Sequence, residues 1–256
     1  MQAGPLRNAY LDVLGIDRWV PRAAIEPAAE SAAPETASRV TAPATRTAVA
    51  EPVARAPAVP PAPLPAGIDW VPLRERVAGC TLCDLSRTRT QTVFGVGNTQ
   101  ADWLVIGEAP GAEEDRQGEP FVGRAGQLLN AMLLAIGLPR ESVFIANVLK
   151  CRPPGNRDPK PEEVSRCLPY LSAQLALLKP KIILAVGRIA AQNLLATDAP
   201  LARLRGKLHS FGAANTPLVI TYHPAYLLRT PTDKRKAWED LKFARTTYQR
   251  IVGGGV

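Results

Sequence analysis

The sequence predicts an α/β protein built on a mostly parallel sheet. Short apolar runs of strand length alternate along the chain with longer amphipathic stretches of helix length. Such alternation is typical of parallel sheets that carry helices on both faces. The predicted strands are residues 101–107, 142–148, 181–187 and 217–222, and the predicted helices are residues 123–137, 161–179, 188–196 and 233–252.

The individual elements follow from local patterns. The first strand contains the apolar run WLVI, as expected where both faces of a strand are covered. The helix at 161–179 begins at Pro161, a position where the missing N–H of proline leaves no helical hydrogen bond unmade. Pro169 is expected to end or kink an early turn of the same helix.

The first 66 residues differ in composition from the rest of the 256-residue chain. Arginines and acidic residues balance in residues 1–66, so the net charge of +8 falls entirely on residues 67–256. Residues 23–66 are rich in Ala and Pro. Proline at this density blocks helices and sheet ladders, and few large apolar side chains are available to bury. We therefore predict a disordered linker at 23–66 and a basic domain at 67–256. A basic domain indicates a polyanionic partner such as nucleic acid, or a merely solubilising charge.

The four cysteines form a pattern that suits a metal site. Cys80 and Cys83 make a C-x2-C pair, and Cys151 and Cys167 follow much later in the chain. Four thiolates are a full ligand set for a tetrahedral zinc or for a cubane iron–sulfur cluster. The spacing alone leaves both metals open, and two disulfides or unrelated buried thiols are the alternatives.

The cellular setting is predicted from what the sequence lacks. The chain opens with MQAGPLRNAY, without the apolar core of a signal peptide, so an oxidising compartment is not expected. No run of about 20 apolar residues occurs, so no membrane span is predicted. We expect a cytoplasmic protein.

Polar side chains follow three of the predicted strands. Glu108 follows the first strand, Asn147 lies near the end of the second, and His223 follows the fourth. Because ligands of open α/β sheets bind beyond the carboxyl ends of the strands, we expect these side chains to share a pocket. Each also has a structural explanation, as a helix cap, a turn residue or a buried histidine. Phe121, in a glycine-rich segment, is either a stacking surface for a planar ligand or part of the core.

Other motifs narrow the chemistry. The glycines near residue 107 match neither G-x-G-x-x-G nor a Walker loop, and the chain has no G-x-S-x-G and no H-E-x-x-H. Nucleotide hydrolysis therefore has no support. The segment KCRPPGNRDPKP at 150–161 is basic and turn-rich, which suits contact with phosphate groups or simply an exposed loop.

Five segments taken together resemble the family 4 uracil-DNA glycosylases, the iron–sulfur type. In chain order they are C-T-L-C at 80–83, G-E-A-P-G-A-E-E-D at 107–115, G-E-P-F-V-G at 118–123, N-V-L-K-C-R-P-P at 147–154 and H-P-A-Y-L-L-R at 223–229. The resemblance covers about residues 68–250. It implies a three-layer α/β/α fold, hydrolytic excision of uracil from single- or double-stranded DNA, and a [4Fe–4S] cluster on the four cysteines.

The resemblance also implies roles for individual residues. Phe121 would stack on uracil, Asn147 would read the pyrimidine edge, and His223 would lie near uracil O2. Leu227 or Leu228 would wedge into the vacated base stack, with Arg229 close to a phosphate. The implied uracil pocket also contains Gly107, Glu108 and Ala109, and the basic segment adds Lys150 as a phosphate contact.

Departures from the wider superfamily leave the water-activating group open. Classical uracil-DNA glycosylases carry Asp and Tyr where this chain has Ala109 and Gly111, so Glu108 becomes the first candidate for orienting water or pocket groups. No lysine stands at a motif position as a nucleophile, so strand cleavage is not expected. The alternative function is a non-catalytic nucleic-acid-binding module that holds an iron–sulfur cluster.

The start of the chain carries a separate apolar segment. Residues 7–22 place Leu11 and Leu14 on one face of a short helix, with Trp19 as a following anchor. The pattern resembles the N-terminal peptide of the psi subunit of bacterial replicative polymerase, which engages the clamp loader. We predict a docking peptide for a replisome component at 1–22, and the alternative is that it folds back onto the domain.

Overall fold

The computed structural model describes Pro65 and residues 67–254. The predicted docking peptide at 1–22 and, apart from Pro65, the predicted linker at 23–66 lie outside the described residues.

The core of the domain is a six-stranded mixed sheet with the order β1-β3-β2-β4-β6-β5. Its four central strands are parallel, and the two edge strands are antiparallel to their neighbours. The four strands expected from apolar runs are these central strands, so the prediction of a mostly parallel sheet is confirmed. The strands are β1 (Val96–Gly97), β2 (Trp103–Gly107), β3 (Phe144–Asn147), β4 (Ile182–Val186), β5 (His209–Phe211) and β6 (Thr216–Thr221).

Helices cover both faces of the sheet. The helices are α1 (Trp70–Ala78), α2 (Ala112–Gln117), α3 (Arg124–Ala135), α4 (Pro161–Leu178), α5 (Arg188–Leu195), α6 (Leu201–Leu204), α7 (Pro224–Arg229) and α8 (Lys234–Val252). Short 3₁₀ turns lie at Asp84–Arg87, Arg140–Ser142, Pro154–Asn156 and Pro231–Asp233. Among the helices of the described residues, none is long and apolar enough to cross a membrane.

Alternate residues of each strand feed two separate cores. Leu104 and Ile106 of β2 pack on the face that α1, α4 and α5 cover, whereas Trp103 and Val105 pack on the face that α3, α7 and α8 cover. This alternation follows from the two-residue period of a strand, and it gives three layers, helices, sheet and helices. The α/β/α architecture implied by the resemblance is confirmed.

Helix α4 has the predicted length, but it does not end at Pro169. Pro169 was expected to end or kink an early turn, but the helix continues through it to Leu178. Buried Leu171 and Leu175, beyond the proline, pack into the core beside α1. This burial outweighs the single backbone hydrogen bond that the proline removes, which explains why the helix does not end there.

Candidate active site

A pocket of about 390 Å³ opens at the carboxyl edge of the parallel strands. Glu108 follows β2, Asn147 ends β3 and His223 follows β6, and all three line this pocket together with Phe121. Strand register places Gly107 directly opposite Asn147. The structure therefore brings together side chains that are up to 115 positions apart in the sequence, as the strand-end pattern predicts.

The floor of the pocket requires glycine at position 107, because a side chain there would have no room. A Cβ at this position would lie 2.6 Å from the ring of Phe121 and would collide with Oδ1 of Asn147. Asn147 is 2% exposed, and among the described residues its Oδ1 has no hydrogen-bond partner. A buried amide oxygen without a partner costs free energy, so it indicates a ligand that supplies the missing donor. Ala109, also expected in the pocket, lines it.

Phe121 forms an aromatic wall. Its side chain is 7% exposed, and its ring centroid lies 5.7 Å from that of His223 with 32° between the planes. The backbone of Phe121 is left-handed, with φ of 54°, a conformation that a non-glycine residue adopts only when its surroundings enforce it.

Glu114 supplies that enforcement, and sequence reasoning missed it. Its Oε1 accepts hydrogen bonds from the N–H groups of Val122 (3.1 Å) and Gly123 (3.4 Å), and its Oε2 accepts from the N–H of Gly111 (3.1 Å). One carboxylate therefore ties the loop after β2 to the loop that carries Phe121. Its place in the first turn of α2 suggested only an ordinary acidic helix start, so the sequence contained no signal for the second loop.

His223 is fixed as a neutral hydrogen-bond donor. It caps α7, and its Nδ1 accepts the N–H of Ala225 at 3.1 Å, so the ring proton lies on Nε2. Burial and, to a smaller extent, the charge of Arg229 lower the pKa of His223 to about 4, against the opposing charge of Glu114. At neutral pH the imidazole is therefore uncharged.

Glu108 is the pocket carboxyl with the most perturbed acidity. Burial raises its pKa to about 7; the negative charge of Asp158 adds to the effect, and Arg188 opposes it. The backbone of Glu108 is held by the N–H of Leu149, which donates to its carbonyl oxygen at 3.0 Å. A carboxyl with a pKa near neutrality can exchange protons with water at working pH.

Two of the predicted DNA contacts are wrong. Lys150 is 1% exposed, because its ammonium donates to the carbonyl oxygen of Asn147 (2.9 Å) and to Oε1 of Gln174 (2.7 Å), so it cannot reach a phosphate. Leu227 is 0% exposed and belongs to the core under α7. By contrast, Leu228 is 37% exposed, and Arg229 lines the mouth of the pocket.

The four cysteines line one small cavity. All four are free thiols, so the disulfide alternative is not formed. Cys151 Sγ accepts a hydrogen bond from Nη1 of Arg89 (3.1 Å), and Cys167 Sγ accepts one from the backbone N–H of Lys150 (3.2 Å). Burial raises the pKa of the Cys167 thiol to about 12, against the opposing charge of Lys150.

The arrangement of these thiols bears on the kind of metal group that would fit. Within the described part of the chain, no group of three or more His, Cys, Asp or Glu side chains is arranged to hold a metal ion. The cysteines nevertheless line a common cavity. In a cubane cluster each thiolate binds a different iron, so the sulfurs need not converge on one point as they do around zinc. Hydrogen bonds to two of the sulfurs also suit such a cluster.

All the comparisons with known proteins given below match uracil-DNA glycosylases. Residues 94–242 match the family described as the uracil DNA glycosylase superfamily. A type-4 uracil-DNA glycosylase of Archaeoglobus fulgidus is 46% identical over 172 residues, which cover 65% of this chain and 86% of the relative. The type-4 enzyme of Pyrobaculum aerophilum is 43% identical over 74% of this chain and 96% of its own length. That of Sulfurisphaera tokodaii is 40% identical, over 68% and 82% respectively.

Proposed function

Because the chain belongs to the type-4 family within the uracil-DNA glycosylase superfamily, we propose that it excises uracil from single- or double-stranded DNA by hydrolysis and leaves an abasic site. The observation that carries the proposal is the buried, unpartnered Oδ1 of Asn147 beside the ring of Phe121. An aromatic wall and an unpaired amide together fit a flat ring with hydrogen-bonding edges. The target base must leave the stack to reach them, at a cost of a few kcal/mol.

The pocket groups match the edges of uracil. Oδ1 of Asn147 accepts N3–H of the base, and its amide nitrogen donates to O4. The Nε2–H of neutral His223 donates to O2, and Phe121 stacks on the ring. A hydrogen-bonding amide buried in the floor discriminates strongly, because a base that cannot pair with it leaves the amide unsatisfied.

Bond cleavage places negative charge where these donors point. The bond between C1′ and N1 breaks, its electron pair goes to uracil, and the sugar becomes oxocarbenium-like. The donor on O2 stabilises that anion more than the neutral base, which lowers the barrier. Water then adds to C1′, and ionised Glu108 accepts its proton. The water-activating role of Glu108 is part of the proposal, supported by its pKa near 7 and its place in the pocket.

DNA is proposed to approach across α7 and the start of α8. Leu228 is the exposed apolar side chain that would fill the space left by the flipped nucleotide. Arg229, at the mouth of the pocket, would contact a phosphate beside it. Helix α8 begins with Lys234 and the largely exposed Arg235, and Tyr226 of α7 is joined to Asp233, just before α8, by a 2.6 Å hydrogen bond. Positive charge at this edge suits the phosphate backbone.

We propose that Cys80, Cys83, Cys151 and Cys167 hold a [4Fe–4S] cluster, supported by their common cavity and by the N–H···S hydrogen bonds. When bound, the cluster would join distant segments of the chain. Protein purified without oxygen should be yellow-brown and contain about four irons per chain. One zinc and no iron would contradict the assignment.

Residues 7–22 are proposed as a docking peptide for a replisome component, on the strength of their sequence pattern alone. Deleting residues 1–22 should leave excision from free oligonucleotides unchanged and abolish capture of the clamp loader. A loss of thermal stability or of oligonucleotide activity would instead favour packing against the domain. The domain itself is expected to act as a monomer.

Uracil release is the direct test of the proposed function. A labelled oligonucleotide with one dU should lose uracil, and its strand should break only after alkaline treatment. An oligonucleotide with dT in place of dU is the matched control. Tight binding of the dU oligonucleotide with no release of uracil would place the chain among non-catalytic nucleic-acid-binding modules.

A further inference from the structure

Lys150 is a buried charge that the proposed reaction does not use. It is 1% exposed, although lysine is among the residues least often buried. Its ammonium has two hydrogen-bond partners, the carbonyl oxygen of Asn147 at 2.9 Å and Oε1 of Gln174 at 2.7 Å. Both are neutral. Among the described residues, no salt bridge includes Lys150.

The ammonium of Lys150 is held only by neutral groups, so a negative charge nearby would stabilise it further. Removing a charged group from water costs several kcal/mol unless an opposite charge offsets it. The anionic candidates are the cysteines: Cys151 is the next residue, and Lys150 donates its backbone N–H to Cys167 Sγ at 3.2 Å. Lys150 also lines the cavity that the four cysteines surround.

The side-chain ammonium of Lys150 contacts the backbone of a residue that lines the uracil pocket. Its ammonium holds the carbonyl oxygen of Asn147, the residue whose side chain forms the pocket floor. The intervening segment is also fixed to β2, because Val148 and Leu149 donate their N–H groups to the carbonyl oxygens of Gly107 and Glu108, each at 3.0 Å. The segment that joins the cysteines to the pocket is therefore tied by hydrogen bonds to the backbone of both pocket segments.

We propose that Lys150 is a positioning residue that links the cysteine site to the uracil pocket. Its backbone N–H holds the sulfur of Cys167, and its ammonium fixes the end of β3 so that the amide of Asn147 stays aimed at the base. This inference rests on the proposed function and on the proposed cluster. It assigns the cysteine site a task, which is to hold in place the segment that carries Lys150 and Asn147.

The test replaces the lysine with a neutral side chain of similar length. Lys150→Met should lower the midpoint potential of the cluster, since loss of a nearby positive charge disfavours the reduced, more negative state. Single-turnover excision should fall about 10- to 100-fold, as when outer-shell partners of a metal site are removed, while affinity for dU-containing duplex stays unchanged. The control is Lys181→Met, which removes an exposed lysine paired with Asp102 near the start of β2.

A second variant separates charge from packing. Lys150→Arg keeps the positive charge, so it should retain more iron and a higher midpoint potential than Lys150→Met. Equal iron contents or equal midpoint potentials in the two variants would show that the side chain of Lys150 does not act on the cysteine site, and would overturn the proposed link between the two sites. Unchanged single-turnover excision in Lys150→Met would overturn the link to Asn147. Iron content and potential do not depend on uracil release, so failure of the proposed enzymatic function is seen separately in the wild-type protein.

Discussion

The uracil pocket and the cysteine cavity lie at the two ends of one short segment, residues 147–151. They differ in whether their buried polar atoms have hydrogen-bond partners. At the pocket end, Oδ1 of Asn147 is buried and has no partner among the described residues. At the cysteine end, the sulfurs of Cys151 and Cys167 each accept a hydrogen bond. An unpaired buried atom costs about 1–3 kcal/mol, which is tolerable where a ligand comes and goes. The comparison indicates a transient ligand at one end and a permanent group at the other.

The largest loss of activity is expected when the hydrogen-bond donors of the pocket are removed. Asn147→Ala and His223→Ala should each lower single-turnover excision about 100- to 1000-fold, because a donor aimed at developing charge acts mainly in the transition state. Affinity for duplex DNA should change little. The matched control is His209→Ala, since the only other histidine of the chain bonds to the carbonyl oxygen of Leu204 and not to the pocket. Near-wild-type rates in both pocket variants would remove these residues from the mechanism.

The next effect concerns the perturbed carboxyl of the pocket. If ionised Glu108 accepts the proton of water, excision by the wild-type protein should rise with pH through about 7. Glu108→Gln should lose about 100-fold in rate at pH 8 and show no such rise. A pH profile in the variant that still rises through 7 would assign water activation to another group.

The carboxyl of Glu108 should also make the stability of the protein depend on pH. Its folded-state pKa is raised from 4.5 to about 7, so the folded state holds the proton more tightly than the unfolded state. The wild-type protein therefore loses stability as pH rises from about 4.5 to 7, and Glu108→Gln does not. The difference in melting temperature, variant minus wild type, should grow across that window. Glu162→Gln, at an exposed position in α4, is the control for the loss of a glutamate carboxyl outside the pocket.

At the cysteine end, a substitution should lower the stability of the fold more than it lowers the rate of excision. Cys151→Ser removes a ligand that the proposed cluster uses to join segments from residues 80–83 to α4, so iron should be lost and the melting temperature should fall. Excision by whatever protein remains folded should fall as well, but less than in Asn147→Ala. Full stability and full iron content in Cys151→Ser would show that the cavity is not a cluster site.

The sequence predicts the features of this molecule that follow from local residue patterns. It predicts poorly those features that depend on which side chains are buried. The central strands and the strand-end convergence of Glu108, Asn147 and His223 follow from apolar runs and parallel topology. Strands β1 and β5 have two and three residues, too few for a period to appear.

Burial was the main property that sequence patterns did not show. Lys150 stands in a basic, turn-rich segment, so the sequence suggests phosphate contact, but β3 carries it inward to Asn147 and Gln174. Leu227 and Leu228 are equivalent by type, and only the direction of α7 distinguishes the buried one from the exposed one. Glu114 bridges two loops through contacts that no spacing in the sequence reveals.

The smallest expected effect distinguishes approach to the pocket from chemistry within it. Arg229→Gln removes a cation at the mouth of the pocket, so affinity for DNA should fall and the slope of log affinity against log salt should decrease by about 1. Because Arg229 also lowers the pKa of His223, which is already far below neutrality, the rate for bound DNA should stay close to that of the wild type. Arg250→Gln, exposed near the far end of α8, is the control with the same charge change. An equal loss of affinity in both variants would mean that DNA responds to net charge alone, and that the edge beside the pocket is not its docking surface.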